Sequence, residues 1–93
     1  MAVSITVTPM EPHWFGVQVS EGPMVTSHRI RVTDGFVDDL VLGDVAPEDI
    51  VREAVHYLLD RETAAAIPDE VSLDAVEAED HRFAGELKDR LGV

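Results

Sequence analysis

Four histidines and 19 carboxylates are the residues of this 93-residue chain whose types could do chemistry. His13, His28, His56 and His81 fall in four separate stretches, and no two have the i,i+3 or i,i+4 spacing of helical metal sites. His81 follows Glu77 by four residues and Asp80 by one, which makes a cation site only if one continuous helix carries all three. His28 lies on the apolar side of a strand pattern, where a hydrogen-bonded core or edge histidine is the ordinary outcome. His56, with Arg52 four residues before it and Asp60 four after, belongs to a surface charge cluster. Asp38, Asp39 and Asp44 lack the alternating oxygen ligands and closing glutamate of a calcium loop. The absence of cysteine excludes disulfides, thiolate zinc, iron–sulfur ligation and a cysteine nucleophile. Six glycines stand singly at turns, so there is no nucleophile elbow, phosphate loop or dinucleotide fingerprint. The expectation is a protein that is not an enzyme, with no metal and no cofactor. A small enzyme or cation-binding protein using His81 and its neighbouring acids is the third reading.

The elements that position these residues change character at Asp34. Val3, Ile5 and Val7 alternate with Ser4, Thr6 and Thr8, the period of a half-buried strand, and Pro9 and Pro12 end it. Phe15, Val17 and Val19 alternate with Gly16, Gln18 and Ser20 in a second run. Glu21-Gly22-Pro23 is a turn, with Gly22 suited to positive φ. In the third run His28, Ile30 and Val32 alternate with Ser27, Arg29, Arg31 and Thr33, which predicts a hairpin with the second run and a third strand from the first. Beyond it, Phe36, Val37, Leu40 and Val41 predict a short helix, with Asp34 as N-cap and Gly43 at the C′ position. Pro47 at N1 and Glu48 and Asp49 in the first turn open a longer helix to about Thr63, whose stripe is Ile50, Val51, Ala54, Val55, Leu58 and Leu59. Pro68 forces Ile67 out of helical geometry. Ser72 and Asp80 are candidate caps for one or two helices carrying Leu73, Val76, Phe83, Leu87 and Leu91.

Charge follows the same division. The net charge is −12, yet residues 1–33 balance Glu11 and Glu21 against Arg29 and Arg31, so the whole excess lies in residues 34–93. A field of that sign repels nucleic acid and anionic lipid and steers toward basic protein surfaces. No apolar run reaches the length of a membrane span and the first ten residues lack a secretory pattern, so a cytoplasmic address is expected.

The order of strand, short helix, tight turn and longer helix resembles the ribbon-helix-helix DNA-binding fold, in which alternate polar residues of a dimeric ribbon read the major groove. That resemblance implies Ser27, Arg29, Arg31 and Thr33 as nucleic-acid contacts. A second resemblance runs from about Thr26 to Val76. His28-Arg29-Ile30-Arg31-Val32, Leu58-Leu59-Asp60-Arg61-Glu62, Ile67 and Leu73-Asp74 are similar to the motifs of a family of small uncharacterised prokaryotic proteins. The chain departs from that family by Asp60, where the family has Glu, and by a longer acidic tail in place of an aromatic-rich one. That resemblance implies the fold order and transfers no catalytic residue. At the level of architecture the chain is also similar to small acidic antitoxins of two-gene toxin–antitoxin systems.

The sequence therefore predicts one α+β domain over residues 1–93, with about three antiparallel strands in 1–33 and three to four helices packed on one face, the first two in 34–64. Residues 72–93 form an acidic amphipathic segment. A homodimer is expected, because a thin core and an exposed strand edge favour pairing. The leading function is an antitoxin-like interaction module. Its stripe Leu73, Val76, Phe83, Leu87 and Leu91 would dock on a basic partner protein, with Glu77, Glu79, Asp80, Glu86 and Asp89 at the rim. The alternative is a DNA-binding regulator using the Arg29/Arg31 strand face.

Overall fold

A computed structural model describes residues 3–92. Three strands, β1 (Val3–Glu11), β2 (Trp14–Glu21) and β3 (Met24–Arg31), form an antiparallel meander. Helices α1 (Asp34–Leu40) and α2 (Pro47–Leu59) follow, then a single 3-10 turn at Ala64–Ala66. A fourth strand, β4 (Glu70–Ser72), pairs in parallel with β3, and α3 (Leu73–Glu79) and α4 (Phe83–Leu91) close the chain. The fold is α+β, and its sheet is mixed, with order β1-β2-β3-β4.

Period-2 patterning decides the two faces of the sheet. Phe15, Val17, Val19, His28, Ile30 and Val71 are buried, whereas Thr6, Thr8, Gln18 and Ser27 on the opposite parity are exposed. β1 continues through Pro9 to Glu11 instead of ending at the proline. β1 pairs on one side only, so a residue without an N–H is tolerated there, and the register slips between Pro9 and Glu11. Gly22 does take positive φ at the β2–β3 turn. Gly16 is small for another reason: a Cβ there would lie 3.1 Å from the Met10 sulfur folded over the open face.

β4 is absent from the sequence reading because three residues are too few for a period. It is delivered by His28. The buried Nδ1–H donates to the Pro68 carbonyl at 2.9 Å, and in the neutral ring Nε2 accepts from the Thr26 hydroxyl at 2.9 Å. The Arg29 amide donates to the Asp69 carbonyl at 2.7 Å, extending the ladder. His28 is thus a structural histidine.

The helix ends differ from expectation at α1. Thr33, in extended geometry, caps the helix by accepting from the Phe36 amide, and Asp34 occupies the first turn instead. The Thr33 hydroxyl also donates to Asp74 at 2.6 Å, tying the start of α1 to α3. The helix stops at Val41, which adopts the left-handed conformation (φ 56°, ψ 50°) expected of a glycine, while Gly43 lies beyond it in the following turn. α2 begins at Pro47 as its N1 signal predicts and ends at Leu59, one turn before Thr63.

The C-terminal segment is two helices, and its stripe belongs to the core. Leu73, Phe83 and Leu87 are fully buried, and Val76 and Leu91 pack half-buried against them. Phe83 sits 6.0 Å from Phe36 and edge-on to Tyr57 at 5.0 Å, joining α1, α2 and α4 in one aromatic cluster. The expectation that Leu73, Phe83 and Leu87 face a partner is therefore corrected: their partner is the rest of the chain. A chain lacking residues 72–93 should lose its cooperative unfolding transition. Phe83→Ala, which opens a large core cavity, should cost about 3–5 kcal/mol in urea unfolding.

Candidate functional site

Of the residues expected to share a nucleic-acid face, Ser27, Arg29 and Arg31 alternate on the open side of β3 and Thr33 does not join them. Ser27 is exposed on the open face, but Thr33 lies beyond the strand and is spent as a helix cap. Arg29 is held in place: Nη1 donates to Glu70 at 3.1 Å, Nη2 lies 3.8 Å from Glu11, and the guanidinium stacks 4.7 Å above the Trp14 ring. Its Nε is buried with no partner among the described residues. Two carboxylates on one guanidinium leave a local charge unsuited to phosphate. Arg31 is exposed and enters no ion pair among the described residues. Around Arg29 the open face carries a groove of about 570 Å³ lined by Thr6, Thr8, Met10, Gln18 and Glu70.

The cation-site expectation at His81 also meets the break in the tail. α3 ends at Glu79 and α4 starts at Phe83, so Glu77 and His81 are not on one helical face. Among the described residues no three His, Asp or Glu side chains gather to hold a metal ion.

Asp80 takes a different role from the rim position expected of it. It accepts from the Tyr57 hydroxyl, accepts from the Arg82 amide at 3.0 Å, and lies 3.6 Å from Arg61 Nε. Arg61 covers the Tyr57 ring at 3.8 Å, and Arg90 on α4 pairs with Asp60 after α2. This cluster latches α4 to the end of α2. Tyr57 was missed by sequence reasoning, although it stands three residues after Ala54 and seven after Ile50, on the buried stripe. The hydrogen bond from Tyr57, then that from the Arg82 amide, holds the Asp80 carboxyl below its usual 3.8. Burial, then the bond to Asp80, holds the Tyr57 phenol above its usual 10.0.

Of the remaining rim acids, Glu79, Glu86 and Asp89 are exposed and Glu77 is half-buried. They are not the densest acid of the molecule. Residues 73–92 offset six acids with Arg82, Lys88 and Arg90, whereas residues 34–62 set nine acids against Arg52 and Arg61 alone. Arg52 is moreover 3.5 Å from Asp49, and Arg61 is engaged by Asp80. The acidic surface therefore centres on α1, the turn after it and α2.

The α1 C-terminus concentrates three costs. Asp38 and Asp39 lie in its last turn, where the helix dipole disfavours negative charge, and that turn carries no basic residue. Val41, a β-branched residue in left-handed geometry, follows immediately. Val41 is 77% exposed, so its own side chain packs on nothing that offsets the strain, while the turn it makes returns Leu42 to the core. Asp44 is exposed three residues on.

Among the described residues no helix is long and apolar enough to cross a membrane. Comparison of the chain with protein-family models, curated proteins and solved structures gives no match.

The latch gives a pH dependence whose sign follows from the two shifts. Asp80, depressed in the fold, stabilises above its usual value and loses that contribution as pH falls through the folded value; Tyr57, raised, stabilises below 10.0 and loses it as pH rises through the folded value. Tyr57→Phe keeps the ring and removes the bond. The urea midpoint of the wild type should exceed that of Tyr57→Phe at about pH 6, and the gap should shrink by about pH 2.5.

Proposed function

We propose that this chain is a protein-interaction module whose acidic helical surface docks on a basic partner protein through the corner at the end of α1. The observation that carries the reading is the exposed, strained Val41 between Asp38, Asp39 and Asp44. The left-handed turn itself serves the fold, closing α1 on the Asp38 and Val37 carbonyls and burying Leu42. Nothing in that turn calls for a β-branched, exposed residue at Val41 or for acids beside it, which is the pattern of a site kept for something outside the fold. An exposed apolar side chain within an acidic rim also suits a basic partner: the rim steers encounter and sets the partner's sign. In an antitoxin-like reading, a rigid corner takes the place of the tail as the docking element. Arg29, held by two carboxylates and a tryptophan, gives the DNA-binding alternative no comparable support.

Stability and capture should move in opposite directions. Left-handed strain of about 1–2 kcal/mol at a β-branched residue exceeds the entropy of about 0.5–1 kcal/mol that glycine adds to the unfolded chain. Val41→Gly should therefore raise stability by up to about 1 kcal/mol, a rise of several degrees in Tm. A photo-reactive phenylalanine at Gly43, where a side chain meets nothing within 4 Å, should give an adduct in host cells with a protein of basic isoelectric point. Val41→Gly in the same chain should abolish the adduct. Retention of the adduct by the stabilised variant, or equal adducts from a control at Ser27, overturns the reading.

A further inference from the structure

The geometry points to β1 as a second, separate interface: the edge on which a second copy of this chain adds its own β1, antiparallel, to make one continuous eight-stranded sheet. The two edges of the sheet are built differently. β4 is three residues long, begins with Glu70 and follows Asp69, so it is short and charged, the usual defence of an edge. β1 runs nine residues, and from Val3 to Met10 it carries no charge. Only Pro9 and the slip before Glu11 guard it, and both sit at one end. Val3 to Thr8 is therefore an unprotected strand, with a β-branched residue at every position except Ser4.

Charge argues for a copy of the same chain. The acid excess resides wholly in residues 34–93, so two molecules meeting through their helices bring like charge together. The strands of residues 1–33 are neutral as a group, and Glu11 is already answered by Arg29. β1 itself thus adds no like charge where two copies of a chain of charge −12 would meet, and the nearest acids there are those of α2, which packs against its inner side. Ile5 and Val7, half-buried on the inner side of β1, would gain apolar neighbours from the second copy on that same side.

Symmetry fixes the register. Paired residues of adjacent strands point to the same face, so a twofold axis between two β1 strands must pass through a residue paired with itself; an axis between two residues would set the apolar face against the polar one. Self-pairing at Thr6 matches Ile5 with Val7, Ser4 with Thr8 and Val3 with Pro9, using the regular strand and leaving proline at the end. Self-pairing at Val7 would draw the slip into the ladder, and at Ile5 it shortens the match. With Thr6 on the axis, the hydroxyl-lined grooves of the two copies meet along Thr6 and Thr8.

The test uses the absence of native cysteine. Self-paired residues of antiparallel strands have Cα atoms about 4.5–5.5 Å apart, within disulfide reach. The full-length chain at micromolar concentration should show by light scattering a mass twice 10.2 kDa. Thr6→Cys should cross-link under mild oxidation, Ser4→Cys alone should not, and the Ser4→Cys/Thr8→Cys pair should. Thr6→Lys, on the exposed face, should give a folded monomer by circular dichroism and light scattering. A monomeric wild type that forms no Thr6→Cys dimer overturns the proposal, as does a dimer that survives Thr6→Lys. Adducts at Gly43 report on the α1 corner, so the two readings fail separately.

Discussion

Packing of Phe83 against Phe36 and Tyr57 is the constraint on which the rest of the molecule depends. A chain of this length has a thin core, and the sheet alone cannot bury the apolar stripes of α1 and α2. The aromatic cluster supplies the missing wall from the far end of the sequence, and Asp80 fixes its angle by accepting from the Tyr57 hydroxyl. The consequence for function is direct. A segment whose leucines and phenylalanine complete the core is not an arm that reaches for a partner, so any interaction must use what the packed surface leaves out.

How much of this was legible follows from the length over which each pattern repeats. The three long strands, their antiparallel order and α2 with its Pro47 start all rest on periods sustained for several residues, and they stand in the structure. β4 rests on no period at all; it exists because His28 reaches the Pro68 carbonyl forty residues away. Thr33 and Asp34 are both good caps by type, and the choice fell to Thr33 because its hydroxyl serves Phe36 and Asp74 at once. The tail shows the deeper ambiguity. A stripe of Leu73, Phe83 and Leu87 is the same in sequence whether it faces its own core or another protein, and only the position of Phe36 and Tyr57 decides between them.

Charge was legible in sign and only partly in place. Counting along the chain separates a neutral third from an acidic remainder, but the side chains redistribute what is free. Arg29 is consumed by Glu11, Glu70 and the Trp14 face, so the strand that looked basic presents only Arg31. α4 carries enough lysine and arginine to offset its acids, while the stretch around α1 and α2 does not. The acidic pole of the molecule therefore lies away from the tail, at the turn that Val41 closes.

Two places in the fold carry a cost that a single substitution would relieve: the left-handed Val41 beside two aspartates, and the uncharged edge of β1. Either could persist by neglect, since a few tenths of a kcal/mol escape selection in a protein above its stability threshold. The strain at Val41 is larger than that, and it coincides with exposure and with unfavourable helix-end charge. An unguarded edge carries a different penalty, aggregation, which falls on every molecule made. In the proposed dimer, pairing of that edge with its own copy would remove the penalty and leave both α1 corners free for other contacts. On those two proposals, the division of charge between neutral strands and acidic helices would place the contacts on separate surfaces.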